Sequence, residues 1–269
     1  MAYIEGKRPV LEAVKSGYPI DEIFVADNLE RDDLVKDILR KARAADINVR
    51  EVSRRRLDEM IERDPDARSN RKGKKDDGSS SRVHINQGVI ARAGAFPYCG
   101  LGDIVSAAQA DFERNDSRAL VIVCDHLTDA GNLGAIARSA EAVGASGIII
   151  PNKRSAHVTP ATFKSSAGAI AHIQVAQVAN VTSALEKLKD EGFWVVAASE
   201  HATSTVWETD LVGKIVLVMG NEQTGVSSLV LDHADLMCKL PQVGHISSLN
   251  VAQASTALMY EWLRQNWEA

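Results

Sequence analysis

The chain has 269 residues, of which 45% are hydrophobic and 5% aromatic, so it can form two domains or one large domain. Residues 1–95 carry 20 Lys and Arg against 18 Asp and Glu, which leaves 11 against 18 in the remainder and makes the first part the better candidate for binding a polyanion. Three widely spaced cysteines give no zinc pair and no even disulfide set, and the apolar runs are strand-sized. We therefore expect a cytoplasmic protein with no metal and no membrane partner.

The first third of the chain alternates short helices and strands. Apolar residues at helical spacing predict helices, and short apolar runs predict strands. The predicted helices are 9–16, 32–44 and 54–61, and the predicted strands are 23–26, 47–49 and a closing strand at 83–93.

Residues 68–82 contain no apolar side chain apart from glycine, so this segment cannot bury itself and is predicted to be a mobile loop. Two interpretations stay open. The segment is either a solvated insertion without function or a basic arm that becomes ordered on RNA.

A connector rich in proline and glycine begins at Phe96, and 101–114 is a candidate linking helix. From Ala119 onward, buried strands alternate with helices, which predicts an α/β fold with a parallel sheet covered on both faces. The predicted strands are 120–124, 147–150, 173–178, 194–198, 215–219 and 236–239, and the predicted helices are 133–143, 160–168, 181–191, 226–232 and 250–266.

Three polar, glycine-containing loops follow buried strands, where α/β proteins build ligand sites. The first loop contains Asn132, Gly134 and Arg138. Taken alone, Asn132 is most simply a helix N-cap, Gly134 a packing glycine and Arg138 a surface arginine.

The second loop has glycines at 220 and 225 with Glu222 between them. It lacks the Lys-Ser/Thr of a nucleotide-triphosphate loop, and the chain has no Gly-x-Gly-x-x-Gly, so P-loop enzymes and standard dinucleotide binders are excluded. Glu222 would repel a phosphate and suits a cationic or hydroxyl-bearing ligand, but a solvated glutamate near a helix N-terminus is an equally simple interpretation.

The third loop places Ser247, Ser248 and Asn250 at the start of the last helix. Each of these residues alone is a common N-cap. An N-cap does not account for Pro241 and Gly244 in the same loop, so the three loops together predict one composite site.

Together the loops resemble the three signature motifs of the SpoU (TrmH-like) branch of the SPOUT RNA 2′-O-ribose methyltransferases, over residues 118–265. Within that branch the arrangement is most similar to bacterial enzymes that methylate a guanosine ribose in 23S rRNA. The matching residues are Asn132, Gly134, Arg138 and Ser139; Met219, Gly220, Glu222 and Gly225; and Pro241, Gly244, Ser248, Leu249, Asn250 and Val251.

The resemblance implies an L30e-like RNA-binding domain over 1–95, a linker over 96–117 and a SPOUT methyltransferase domain over 118–269 with a C-terminal trefoil knot. It also implies S-adenosyl-L-methionine as cofactor, a homodimer, and large-subunit rRNA or an assembly intermediate as partner. Basic residues of the N-terminal part, such as Lys7, Arg8 and the arginines at 54–56, would contact RNA phosphates.

The resemblance implies two sets of site residues. Cofactor-binding residues would be Met219, Gly220, Asn221, Leu240 and Leu249, and catalytic residues would be Arg138, Asn132, Glu222, Ser248 and Asn250. A guanidinium is effectively always protonated, so we expect Arg138 to hold a phosphate and stabilise developing charge rather than to accept a proton. Glu222 would orient Arg138 or Asn132.

Two other functions stay open on the sequence. One is the same chemistry on tRNA or on a different rRNA nucleoside. The other is a non-catalytic RNA-binding protein of ribosome assembly, against which the joint presence of Asn132, Arg138, Glu222, Ser248 and Asn250 argues.

Overall fold

The computed structural model describes residues 2–62, 86–114, 118–245 and 248–267. In chain order the strands are β1 Ala2–Glu5, β2 Ile20–Ala26, β3 Asn48–Val52, β4 Val89–Ala93, β5 Ala119–Cys124, β6 Gly147–Pro151, β7 Val175–Val178, β8 Trp194–Ala198, β9 Lys214–Met219 and β10 Leu236–Cys238. The α-helices are α1 Lys7–Lys15, α2 Asp33–Ala44, α3 Arg54–Glu62, α4 Leu101–Arg114, α5 Ala130–Ala142, α6 Pro160–Ser165, α7 Val181–Asp190, α8 Ser228–Leu231 and α9 Val251–Gln265.

The chain divides into two compact units, one formed by Met1–Pro97 with Val158–His172 and the other by Tyr98–His157 with Ile173–Ala269. These units differ from the predicted boundaries in two places. Helix α4 of the predicted linker packs on strands of the second unit, and 158–172 of the predicted methyltransferase domain belongs to the first. Neither assignment follows from a local pattern, since both depend on which surface a segment packs against.

The first unit is built on a four-stranded sheet in the order β1-β4-β2-β3, in which only the β2–β3 pair is parallel. Helix α3 covers part of one face, where Leu57 and Ile61 pack with Phe24 and Ile90. Strand β1 was not predicted, because four residues are too few to show a period of two.

The segment 158–172 is held against helix α1. A Cβ added to Gly168, at φ +92°, would lie 2.6 Å from the Cβ of Glu12, so only glycine allows this close approach. The Glu12 carboxylate also lies 2.9 Å from Nε2 of His172. Because Ala167 and Gly168 both adopt positive φ, helix α6 ends at Ser165, earlier than predicted.

The second unit contains a six-stranded sheet in the order β10-β8-β9-β5-β6-β7, with every neighbouring pair parallel. Val121 and Val123 of β5 pack in a core with residues of α4, α7 and α8. The alternate residues Leu120 and Ile122 are also fully buried, and α5 and α9 contact β6 and β9 and pack against each other. The predicted α/β fold with a parallel sheet is confirmed.

Helix α9 is held in place by hydrogen bonds at its carboxyl end and in its first half. At its carboxyl end, Gln265 Oε1 accepts from the Leu211 N–H at 2.8 Å and Asn266 Oδ1 accepts from the Gly213 N–H at 3.0 Å. In its first half, the hydroxyls of Thr256 and of Ser139 on α5 lie 2.7 Å apart. These contacts hold α9 against α5 and against the segment before β9.

The other predicted elements, including α8, agree with the structure to within a few residues. The exception is the predicted closing strand 83–93: β4 begins only at Val89, because residues 86–88 form a turn with Gln87 and Gly88 at positive φ. The predicted loop 68–82, and residues 83–85 of the predicted closing strand, lie outside the described residues. No helix in the described ranges has the length and apolarity that a membrane span requires.

Candidate functional site

The three predicted loops follow β5, β9 and β10, and β5 and β9 are neighbours in the middle of the sheet. Parallel strands end at the same edge, so their following loops are brought together there. The loop after β9 is closed by two backbone bonds between Asn221 and Gly225, of 2.9 and 3.0 Å. Asn221 Oδ1 accepts from the N–H groups of Gln223 and Thr224, at 2.9 and 3.2 Å, which fixes the turn between them.

Both glycines of this loop are required by its geometry. Gly225 has φ +69°, in the left-handed region that favours glycine. A Cβ added to Gly220 would lie 2.1 Å from the carbonyl carbon of Gly225 and 2.2 Å from the Val226 nitrogen. The two glycines therefore allow the backbone to fold back on itself, which is a different use from cradling a phosphate.

Glu222 connects this loop to the loop after β5. Its carboxylate accepts from the backbone N–H groups of Thr128 and Asp129, both at 3.1 Å, from the Thr128 hydroxyl at 3.0 Å, and from Nδ2 of Asn132 at 3.0 Å. Burial would raise the pKa of Glu222, but the hydrogen bonds from Asn132 and from backbone N–H groups outweigh it and hold this pKa below its ordinary value. Of its two predicted partners, Glu222 contacts Asn132 and not Arg138.

Asn132 is not the N-cap of its helix, which corrects the simplest interpretation of the sequence. Helix α5 begins at Ala130, and Asp129 caps it by accepting from the N–H groups of Gly131 and Asn132. The cap is therefore three residues earlier than the sequence suggests, and the Asn132 side chain is available for contacts between loops.

Asn250 joins the third loop to the other two. Its Oδ1 accepts from the Ala252 N–H at 2.9 Å and caps α9, as predicted for this residue type, while its Nδ2 donates to Oδ1 of Asn132 at 3.0 Å. A continuous hydrogen-bonded chain, Glu222 to Asn132 to Asn250, thus links residues that are 90 and 118 positions apart.

A cleft of about 410 Å³ lies beside this chain, within the size range of small-molecule sites. All five predicted cofactor-binding residues line it: Met219, Gly220, Asn221, Leu240 and Leu249. Of the predicted catalytic residues, Glu222, Ser248 and Asn250 line it as well. Asn132 does not line the cleft, but it is hydrogen-bonded to Glu222 and Asn250, which do. Ser247 lies outside the described residues.

Arg138 is placed differently from the other predicted site residues. It is exposed on α5, does not line the cleft, and has no hydrogen bond or ion pair with any residue that the structure describes. Within one chain its guanidinium is therefore open to an external anion.

The loop after β8 also contributes to the cleft, which was not predicted from the sequence. Ser199, Glu200 and His201 line the same cleft, together with Lys239 from the third loop. Only their position could have indicated that these residues belong to the site, since they directly follow a buried strand at the same edge of the sheet.

Asp125 and His126, which directly follow β5, were also missed. Asp125 is 1% exposed, and its Oδ1 lies 2.6 Å from Nδ1 of His126, while its Oδ2 accepts from the Ser227 N–H at 2.8 Å. The His126 carbonyl accepts from Nδ2 of Asn221 at 2.9 Å. No cluster of His, Cys, Asp or Glu suited to a metal ion occurs among the residues that the structure covers.

The fold and these loops define a class: a parallel α/β protein with a composite cleft at the carboxyl edge of its sheet. The family model for the SpoU rRNA methylases matches residues 119–260, and the model for RNA 2′-O-ribose methyltransferase substrate binding matches residues 3–66. The chain belongs to the SpoU/TrmH family of RNA methyltransferases, and the resemblance predicted from the three motifs is confirmed.

Relatives match along almost the whole chain. A putative TrmH family tRNA/rRNA methyltransferase, YacO of Bacillus subtilis, is 34% identical over 98% of this chain and 95% of its own length. The SpoU methyltransferase AviRb of Streptomyces viridochromogenes, solved in complex with AdoMet, superposes with a TM-score of 0.70 at 24% identity, covering 98% of this chain and 89% of that one. An RNA 2′-O-ribose methyltransferase structure gives 0.70 at 23% identity, with coverage of 98% and 88%. At these identities the two structures support the fold.

Proposed function

We propose that this protein transfers a methyl group from S-adenosylmethionine to a ribose 2′-hydroxyl of RNA. The observation that carries the proposal is the hydrogen-bonded chain from Glu222 through Asn132 to Asn250 beside the cleft. It ties together three loops that are far apart in the sequence, in a chain of the SpoU/TrmH family.

The cleft fits the proposed cofactor. S-adenosylmethionine has an adenine, a ribose diol and a sulfonium cation but no phosphate. Apolar side chains such as Met219, Leu249 and Leu258 line the cleft, and the lining carboxylates Glu222 and Glu200 outnumber the single lysine, Lys239. Backbone groups at Gly220, Leu240 and Leu249 would hold the adenine and ribose. When bound, the cofactor supplies an electrophilic methyl group.

A ribose hydroxyl is a poor nucleophile near neutral pH, so the protein must stabilise the charge that develops on its oxygen. Arg138 is suited to this, because its exposed guanidinium has no hydrogen bond or ion pair with the described residues and can hold the neighbouring phosphate. Glu222 already accepts four hydrogen bonds, which use the lone pairs of a carboxylate, so its role is to position Asn132 and the loop after β5.

Asn132, Ser248 and Asn250 would position the nucleotide. Asn132 uses one amide hydrogen on Glu222 and its Oδ1 on Asn250, which leaves a second amide hydrogen for the substrate. Ser248 is exposed in the wall of the cleft, and its hydroxyl can donate or accept.

The proposed substrate is a guanosine of 23S rRNA, free or in an assembly intermediate, with tRNA as the alternative. The match of residues 3–66 to a substrate-binding model supports an RNA-binding role for the N-terminal part. Among its basic residues, Lys7 is paired with Asp32, and Arg55 and Arg56 are paired with Glu59. Arg8 and Arg54 have no ion pair within the described ranges, so they are the first candidates for phosphate contacts.

We propose further that the protein acts in the cytoplasm as a homodimer with a C-terminal trefoil knot. Arg138 does not line the cleft of its own chain, so in a homodimer it would complete the cleft of the second subunit. Light scattering combined with size-exclusion chromatography tests the dimer directly.

The deciding experiment for the reaction is mass spectrometry of rRNA and tRNA nucleosides from cells with and without this protein. Loss of one ribose-methylated guanosine from 23S rRNA supports the full proposal, and loss of a methylated tRNA nucleoside transfers it to tRNA. Calorimetric titration of the purified protein with S-adenosylmethionine separates an enzyme from an assembly protein, since the second has no need of the cofactor.

A further inference from the structure

When the ribose hydroxyl is methylated, another group must accept its proton. Arg138 cannot accept it, and Glu222 has its lone pairs in use. Glu200 and His201 of the cleft wall are 63% and 88% exposed and contact each other at 3.8 Å, so neither is fixed by a buried partner.

His126 is a histidine whose ring is held in position on the loop after β5. The ring does not line the cleft, but the backbone of its loop is bonded to Asn221 and Glu222, which do. Asp125, almost fully buried, contacts its Nδ1 at 2.6 Å, and the other Asp125 oxygen is fixed by the Ser227 N–H. Because a carboxylate only accepts hydrogen bonds, Nδ1 carries the proton in this contact, and the neutral ring presents its lone pair at Nε2. The His126 side chain is 45% exposed, so a substrate can reach the ring.

The backbone around His126 is tied to residues that line the cleft. Its carbonyl accepts from Asn221, and two and three residues further on, the N–H groups of Thr128 and Asp129 donate to Glu222. His126 itself has φ +57°, in the left-handed region, which histidine adopts more often than most residues other than glycine.

We propose that His126, oriented by Asp125, accepts the proton of the ribose 2′-hydroxyl; the inference rests on the methyltransferase function proposed above. Nε2 of His126 takes the hydroxyl proton as the ribose oxygen bonds to the methyl carbon. The electron pair of the broken carbon–sulfur bond stays on the sulfur, which becomes an uncharged thioether. Asp125 stabilises the imidazolium, which then releases its proton to solvent.

Several charged groups surround His126. Asp125 and Asp129 belong to the same loop, and Glu222 belongs to the loop after β9. The loop after β6 carries Lys153 and Arg154 and packs here through the N–H of Ala156 and the hydroxyl of Ser155, both of which donate to the Leu127 carbonyl.

The test uses the purified full-length protein, methyl-labelled S-adenosylmethionine and rRNA from cells that lack this protein. In His126→Asn the amide nitrogen can still donate to Asp125, and both His126→Asn and His126→Gly suit a positive φ, so loss of folding is not expected in either. We expect kcat to fall about 10²–10⁴-fold in both variants, the effect of removing a general base. The KM for RNA and the calorimetric Kd for the cofactor should be unchanged. The matched control is His233→Asn, whose ring lies 3.3 Å from Glu186 of α7 and contacts none of the three loops; it should keep normal turnover.

Two further measurements separate proton transfer from a structural role. The wild-type rate should fall at acidic pH as His126 becomes protonated, and His126→Asn should lose this acid limb. Nitrogen-15 NMR of the imidazole in the protein without cofactor should show the Nδ1-protonated form, and Asp125→Asn should change it.

Three outcomes overturn the proposal. One is an unchanged kcat and acid limb in His126→Asn while the wild type transfers methyl groups, which leaves the proposed function intact. Another is loss of cofactor binding together with activity in both His126 variants, which makes the residue structural. The third is a wild-type protein that neither binds cofactor nor methylates RNA, which removes the proposed function as well.

Discussion

Charged and polar contacts are arranged differently on two helix surfaces of the first unit and at the cleft of the second unit. On helices α2 and α3 of the first unit, the ion pairs Lys36–Asp33, Arg40–Asp37 and Arg55–Glu59 join residues three or four positions apart on exposed surface. At the cleft of the second unit, Glu222, Asn132 and Asn250 are joined across 90 and 118 positions.

This difference indicates which contacts are important for function. Helix geometry alone brings a pair three or four residues apart together, and such pairs contribute little to stability because water screens them. A bond across 90 residues forms only after the sheet has assembled, and it fixes two loops relative to each other. Substitutions at the cleft should therefore have large effects, and those on the helix surfaces should have small ones.

The largest effect is expected for Gly220→Ala. The new Cβ would lie 2.1 Å from backbone of Gly225, which cannot move without opening the loop. We expect loss of cofactor binding in calorimetric titration and a decrease in stability of about 3 kcal/mol, at the upper end of what overpacking costs. Gly102→Ala, where nothing lies within 4 Å of the added Cβ in helix α4, is the matched control. It should bind cofactor normally and lose no stability, because alanine is the better helix former. Normal binding by Gly220→Ala would show that the loop opens freely.

Arg138→Ala should reduce turnover about 10²–10³-fold, the usual effect of removing a positioned charge from a transition state. Cofactor affinity should not change, because the proposed partner of Arg138 is the RNA phosphate and not the cofactor. Arg138→Lys keeps the charge and loses the planar fork, so its turnover should be intermediate. Near-normal turnover of the lysine variant would mean that bidentate positioning is not the role of this residue.

The link between loops can be measured by a double-mutant cycle on Asn132→Ala and Glu222→Ala. Since the two side chains are hydrogen-bonded at 3.0 Å, urea unfolding should give a coupling energy of about 0.5–3 kcal/mol. The same cycle on Asn132 and Arg8, which belong to different units, should give additive effects. Additivity at Asn132 and Glu222 would contradict the proposed link.

Stability should depend on pH through Glu222. Because the folded protein holds this pKa below its ordinary value of 4.5, the charged carboxylate stabilises the fold above that value. The stabilisation is lost as pH falls through the lowered pKa of the folded state. The difference in unfolding free energy between wild type and Glu222→Gln should therefore be constant near neutral pH and shrink in acid. A difference that grows as the pH falls would have the wrong sign.

The smallest effect is expected on helix α3. Glu59 accepts from Arg55 and Arg56 on the exposed surface, and Glu59→Gln should leave the thermal unfolding midpoint unchanged within error. A clear decrease in this midpoint would show that the pairs of the first unit matter more than their geometry suggests.

Periodicity predicted most of the elements because helices and strands repeat over a few residues. It failed where the repeat was too short, as in β1, and where packing decides, as for 158–172. Asn132 was taken for a possible N-cap because asparagine favours that position, but Asp129 three residues earlier has the same preference and caps the helix. The pair Asp125–His126 was missed because two adjacent polar residues after a strand have no distinctive spacing.

The sequence by itself determined the alternation of buried strands with helices, the three glycine-containing loops and, through their residues, the family. Only the tertiary structure decided that β9 lies between β8 and β5, that Glu222 bonds to Asn132 and not to Arg138, and that Asp125 orients His126. The physical reason is the distance along the chain over which each feature is determined. Sequence patterns report backbone preferences over a few residues, whereas the order of strands and the partners of loop side chains depend on how distant segments pack.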